Sequence, residues 1–360
     1  MEIKKTSACS VLLLLLAIIM FFTGGCRKDK ELPEVLTIEI SEINQAIAVG
    51  GGNVISDGGS TILVRGVVWS ENPEPTFDSY SGYTTDGNGL GEFNSTLTRL
   101  RPSTTYFMRA YARNSKGIGY GNIFEFTTLE IISGHGVTDT DSNFYPTVII
   151  GEQEWMAENL RTTMYSDGTV IPYVSVDEEW WDTNEGAYCW FNHDADMKYA
   201  YGALYNGYAV ATEKLCPVGW RVPSDAEWAQ LADYLFDEIG IPKDYSDDGP
   251  GNVLKSCRQI DSPLANECNT EVHPRWEQHT LHYGTDNFGF SALPGGYRMG
   301  YGSFHRVGEI ARFWSSTEYS LGSFLWYWTM SNENGGFGNI FALKDVGFSV
   351  RCLRDVENPR

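Results

Sequence analysis

Three groups of residues in this 360-residue chain have types and spacings suited to chemistry. Cys257, Cys268, His273, His279 and His282 form a Cys/His cluster, and thiolate with imidazole is a donor set that zinc prefers. Their spacing matches no standard zinc knuckle, so the histidines read as surface residues of a loop. Asp139-Thr140-Asp141-Ser142-Asn143 sets oxygen donors at alternate positions, as a calcium loop begins. Phe144 and Ile150 then stand where glycine and glutamate are required, and a polar turn is the plainer reading. No metal or cofactor is expected. The third group is aromatic: Trp180, Trp181, Trp190, Phe191, Trp326, Tyr327 and Trp328. Exposed rings of this kind stack on sugars or anchor protein contacts. Most large aromatics in a domain are core. Trp180-Trp181 is the pair expected to show a face, because on a strand such neighbours point to opposite sides. No Ser/His/Asp arrangement, phosphate loop or paired carboxylates at catalytic spacing stands out.

The elements that must hold these residues follow from composition. There are 47 acidic and 26 basic side chains, a net charge of −21, which repels phosphate backbones and anionic lipid and excludes nucleic acid as a partner. With 38 glycines, 14% aromatic and only 20% charged residues, the chain reads as strands and turns rather than a helical bundle. Lys4 and Lys5 precede an apolar run from Val11 to Phe22, too short to span a bilayer, which reads as a signal peptide over 1–25. Thr23-Gly24-Gly25-Cys26 resembles a bacterial lipoprotein site, which implies acylation of Cys26 and membrane attachment through that lipid. Residues 26–34 form a charged tether whose acidic residues resemble the surface-export signal of Bacteroidetes lipoproteins. The expected address is therefore the outer membrane, displayed at the cell surface.

Residues 35–128 alternate apolar and polar positions between turn-forming clusters, the pattern of an antiparallel sandwich. One strand is expected over 61–69. Another covers 106–113, with Tyr106, Met108, Ala110 and Ala112 inward and Phe107, Arg109, Tyr111 and Arg113 outward. Leu100-Arg101-Pro102-Ser103-Thr104-Thr105-Tyr106 resembles the signature of fibronectin type III domains, whose tyrosine hydroxyl bonds back to the backbone at a strand corner. That resemblance implies a spacer or binding module.

Residues 129–360 carry ten of the eleven tryptophans and five of the seven cysteines. Ser224 and Glu227 make a capping box ahead of Trp228, Leu231, Ala232, Leu235, Phe236 and Ile239 at helical spacing, stopped by Gly240 and Pro242. Several ordered blocks run through this part: Ile150 to Leu160, Gly186 to Trp190, Tyr201 to Asn206, Cys216 to Pro223, Leu293 to Arg298, Phe313 to Thr317 and Gly347 to Cys352. Over roughly Val137 to Asp355 they resemble the Fibrobacter succinogenes major paralogous domain. The capped Val222-Pro223-Ser224-Asp225-Ala226-Glu227-Trp228 and the late Gly-Phe-Ser-Val-Arg also resemble formylglycine-generating enzymes. What this implies is an all-β fibronectin type III-like sandwich followed by an α+β domain of C-type-lectin-like architecture.

Cys189, Cys216, Cys257, Cys268 and Cys352 meet oxidising conditions after export, and their odd number leaves one unpaired within a monomer. The lectin-like resemblance suits Cys216 with Cys352. Cys257 and Cys268 are close enough to close a local loop, which leaves Cys189 as a buried thiol; a bridge from Cys189 to another cysteine stays open. Formylglycine-generating enzymes bind copper through a thiol pair, and no matching pair of motifs is found, so an enzyme is not expected. Function then reduces to adhesion: binding of an extracellular glycan or protein through Trp180, Trp181, Trp190, Trp326 or Trp328. A thiol/copper oxidase-like enzyme and a purely structural envelope component are the alternatives.

Overall fold

Alternating apolar residues bury one face of each strand between Glu34 and Thr127, and two sheets close over that face. In the computed structural model, which describes residues 29–238, 240–241, 249–319 and 322–356, this part is a β-sandwich. The leader, Cys26 and Ile239 lie outside the described residues. The strands are β1 (Glu34–Ser41), β2 (Ala48–Ser56), β3 (Val64–Ser70), β4 (Gly82–Tyr83), β5 (Gly91–Leu97), β6 (Thr105–Arg113), β7 (Ile118–Tyr120) and β8 (Phe124–Thr127). One sheet runs β1-β2-β5; the other runs β4-β3-β6-β7, with β8 also on β6. The Tyr106 hydroxyl accepts from the Arg101 backbone N–H at 3.0 Å, the corner bond that the motif foretold. Tyr106, Met108, Ala110 and Ala112 face the core as expected. Tyr111 does not face solvent. Phe77 covers it with ring centroids 4.7 Å apart, and its hydroxyl donates to the Thr84 carbonyl.

The second part is also β-rich, with short helices. Its strands are β9 (Val137–Thr138), β10 (Phe144–Tyr145), β11 (Thr147–Ile150), β12 (Gln153–Met156), β13 (Tyr188–Cys189), β14 (Leu204–Asn206), β15 (Tyr297–Arg298), β16 (Phe304–His305), β17 (Ile310–Tyr319), β18 (Phe324–Ser331), β19 (Gly338–Leu343), β20 (Gly347–Phe348) and β21 (Leu353–Asp355). They form a β9–β10 hairpin and the sheets β11-β12-β21, β13-β14-β20-β15-β16 and β17-β18-β19. The last sheet divides two cores, because neighbours on a strand point to opposite faces. Phe313 and Trp328 enter one core with Trp155, Trp228 and Phe290; Trp314 and Tyr327 enter the other with Tyr205, Phe348 and Cys352.

The two helices used below are α1 (Asp177–Asp182) and α2 (Asp225–Asp233). Ser224 and Glu227 close the capping box on α2, worth about 1 kcal/mol. Trp228, Leu231, Ala232 and Leu235 point into the first core, whereas Phe236 is exposed where α2 passes into a wider turn.

Arg351, fully buried, ties the irregular segments together. Its Nε donates to Asn159 Oδ1 (2.8 Å), Nη1 to the carbonyls of Met156 (3.0 Å) and Phe290, and Nη2 to the Ser291 carbonyl (2.7 Å). Next to it Cys352 is bridged to Cys216, and Cys257 to Cys268. Cys189 keeps a buried thiol. Lys255 repeats the device, its buried Nζ donating to the carbonyls of His282, Ser331 and Asn334.

The sandwich shares a core with the second part. Ala46 and Ile47 pack with Leu235, Ile241 and Val253. Asn287 Nδ2 donates to the carbonyls of Gln45 (2.9 Å) and Leu100 (2.5 Å).

Two outcomes are expected. Arg351→Met strands four buried acceptors and loses at least about 3 kcal/mol in urea unfolding. Burial raises Asp286, near Arg351, from 3.8 to about 6. The folded state then holds a proton that the unfolded chain has released, so this group's contribution to stability falls as pH rises from 3.8 towards 6. Asp286→Asn flattens that part of the pH profile, read from urea midpoints of both proteins.

Candidate functional site

Adjacent tryptophans in a helix point about 100° apart, so α1 can bury one and expose the other. It does so with Trp180 and Trp181. Trp180 is fully buried with Ala187, Cys189, Phe191 and Leu204, and its indole N–H donates to the Asp345 carbonyl at 2.7 Å. Trp181 is 57% exposed. It lines a cleft of about 230 Å³ with Asp177, Glu178, Asp182 and Tyr301, and Tyr301 is 56% exposed.

Arg298 organises the cleft. Its side chain has no exposure, and the guanidinium lies 4.4 Å over the Trp180 ring. It donates to Asp177 Oδ1 (2.7 Å), to the Val174 carbonyl (2.7 Å) and to the Gly302 carbonyl (3.0 Å). One cation thereby fixes α1, the irregular segment before it and the Met299–Ser303 turn that carries Tyr301. Gly302 has φ +101°, and a Cβ there would lie 2.1 Å from Asp177 Cγ, so only glycine lets the turn reach the helix. Behind Trp180, burial pushes the Cys189 thiol up to about 12, which makes it an inert core residue.

The arrangement can take a sugar ring: two ring surfaces for its C–H face, and three carboxylates to accept from its hydroxyls. The cleft is lined by no basic side chain, which disfavours an anionic ligand.

The other aromatic candidates separate. Trp328 is buried, with its N–H on Asp225 Oδ1, and Trp190 is buried against Tyr188. Both, like Trp180, are corrected from surface to core, where each joins a cluster of large apolar side chains. Trp326 is half-buried on the outer end of β18, away from Trp181's cleft lining. Tyr301 was not foreseen, and its signal was an aromatic between two glycines, Gly300 and Gly302.

The metal candidates are used structurally. Asp139 accepts from the Asn143 backbone and amide and from the Tyr145 hydroxyl, and Asp141 accepts from the Thr163 N–H. The Cys257–Cys268 bridge takes the sulfurs from the Cys/His cluster, and His273 contacts the Tyr201 hydroxyl. Among the described residues no group of three His, Cys, Asp or Glu side chains is placed to hold a metal ion.

A family model described as the Fibrobacter succinogenes major domain matches residues 148–354. No curated protein matches. Among solved structures, the sensor domain of the anti-sigma factor RsgI4 in Pseudobacteroides cellulosolvens is 19% identical, covering 29% of this chain and 100% of that one, with a TM-score of 0.22. A fibronectin type III domain of the human KIAA0970 protein is 18% identical, covering 36% of this chain and 88% of that one, with a TM-score of 0.21.

Gly168→Ala and Gly302→Ala separate backbone strain from crowding. Both glycines have positive φ, but a Cβ at Gly168 meets nothing within 4 Å. Gly168→Ala is expected to cost about 1 kcal/mol and Gly302→Ala at least about twice that, read from urea unfolding.

Proposed function

We propose that this chain, which belongs to the Fibrobacter succinogenes major domain family, recognises a neutral glycan outside the cell through the Trp181–Tyr301 cleft. The observation that carries the reading is the pair of solvent-facing rings sharing one cleft with Asp177, Glu178 and Asp182. Burial of polar ring atoms needs hydrogen-bond partners, and a sugar supplies both C–H faces and hydroxyl donors. In this reading the second domain has a C-type-lectin-like architecture. The bridge from Cys216, ahead of α2, to Cys352 beside β21 supports it.

The same proposal places the protein on the outer membrane, held by lipid on Cys26 with the cleft turned outward. The leader-like sequence and the acidic tether support that address. Among the described residues no helix is long and apolar enough to cross a membrane. Stacking and hydroxyl contacts suit reversible binding, and no step of covalent chemistry is part of the reading.

A glycan array probed with the full chain, followed by titration of the best neutral hit, tests this. Trp181→Ala and Tyr301→Ala are each expected to weaken binding by about tenfold or more while the melting temperature stays unchanged, since both side chains are exposed. Absence of binding to every neutral glycan, or binding indifferent to both changes, would overturn the reading.

A further inference from the structure

Arg312 on β17 breaks a rule that the other arginines keep. Every other described arginine of the second part donates to a carboxylate or carbonyl oxygen. Arg312 donates to none among the described residues: its Nε is buried without an acceptor, and its Nη groups stay open to solvent. The acids nearest to it along the chain serve other cations. Glu309 is held by Arg306 at 2.8 Å and Glu318 by Lys344 at 2.6 Å. A chain with 47 acidic side chains thus leaves this guanidinium without one.

Aromatic rings hold it instead. The guanidinium carbon lies 3.9 Å from the Tyr297 ring centroid, 5.3 Å from that of Tyr327 and 5.4 Å from that of Phe348. Ring faces attract the charge and fix its position, but they leave the in-plane N–H donors of a guanidinium without an oxygen. Thr329 stands directly opposite Arg312 in the ladder, so its hydroxyl shares that face of the sheet. Gly338, next across the sheet, has no side chain to cover the charge, and Ile340, opposite Tyr327, is 47% exposed. The Thr329, Tyr297 and Tyr327 hydroxyls make no hydrogen bond among the described residues. Burial pushes the Tyr327 hydroxyl up and the Arg312 charge pulls it back, so the two groups share one environment.

We propose that Arg312 anchors a second ligand site, one that takes the carboxylate of a uronic acid sugar. A carboxylate accepts two parallel N–H bonds from a guanidinium edge, which supplies the oxygens that Arg312 lacks. The three uncommitted hydroxyls meet the hydroxyls of the sugar, and Ile340 meets its C–H face. Net charge limits the ligand to a single negative charge, because a chain at −21 repels a dianion more strongly than a monoanion. The site goes beyond the Trp181 cleft and shares no residue with it. Neutral and acidic sugars are thereby taken at different places, the first among carboxylates and the second at an unpaired cation.

Titration of the full chain with D-glucuronate, followed by ligand-observed NMR, tests the proposal. The Trp181→Ala chain serves as the background, which removes the first cleft from the measurement and keeps the two readings distinguishable. Glucuronate is expected to saturate there, with methyl glucoside, acetate and inorganic phosphate each binding about tenfold more weakly or less. Thr329→Glu places a carboxylate opposite the guanidinium and is expected to weaken glucuronate by about tenfold or more, with the melting temperature unchanged. Arg312→Lys keeps the charge but loses the planar fork, and a similar loss is expected. Glucuronate that does not saturate, binding indifferent to both changes, or acetate or phosphate binding as tightly as glucuronate would overturn the proposal.

Discussion

The structure depends on one buried cation. A domain with so few long strands and helices leaves many backbone carbonyls without partners inside regular structure, and burying them unpaired is prohibitive. Arg351 gathers three such carbonyls and an amide oxygen at a single point. Those acceptors come from the end of β12 and the segment after it and from the Phe290–Ser291 loop, and Arg351 itself leads into β21. The guanidinium thereby does for irregular chain what a sheet ladder does for strands. Burial pulls its pKa down to about 9, and it remains charged at neutral pH.

Arg298 and Lys255 repeat the principle at other places. Each is fully buried, each donates mainly to backbone carbonyls, and each lies near a tryptophan ring, Trp180 and Trp276 respectively. A chain with many more acids than bases therefore keeps three basic side chains inside as junctions, of which Lys255 is pulled by burial down to about 7. Most acids stay at the surface, and those drawn inward are tied by hydrogen bonds: Asp139 to Asn143 and Tyr145, Glu154 to Thr147 and Arg354, and Asp286 to Ser291. This division explains how a strongly acidic protein can be loop-rich and still well packed. It also explains why the cleft at Trp181 is acidic: the cation that organises it points inward, and only carboxylates face the opening.

Much of this was legible in the sequence. The Tyr106 corner, the Ser224 capping box and the short Cys257–Cys268 loop follow from local motifs and spacing, whereas the Cys216–Cys352 bridge, 136 residues apart, was suggested only by the lectin-like resemblance. The ordered blocks containing Asn159 and Arg351 marked the domain, although nothing in their spacing says that they meet each other or Phe290. The aromatic positions were less legible. Trp180 and Trp181 are neighbours of one type, and a helix of six residues decides which is core. Trp328 is buried because α2 offers it Asp225, a contact between residues 103 apart. Tyr301 carries no periodic signal, since a turn held by Arg298 places it. Tyr111 failed a simple alternation rule because a loop covers what would otherwise be the outer face of β6.

The seam between the sandwich and the second domain has a mechanical consequence. Ala46 and Ile47 belong to the same apolar core as Trp228, and Asn287 holds two carbonyls of the sandwich. A hinge at the junction would let the domains swivel and dissipate a tug. Here a load entering at Glu34 and leaving at α1 passes through Ala46, Ile47 and the two Asn287 bonds. Those contacts, and not the chain connection alone, are what a pull on the first strand must break before the domains can swivel.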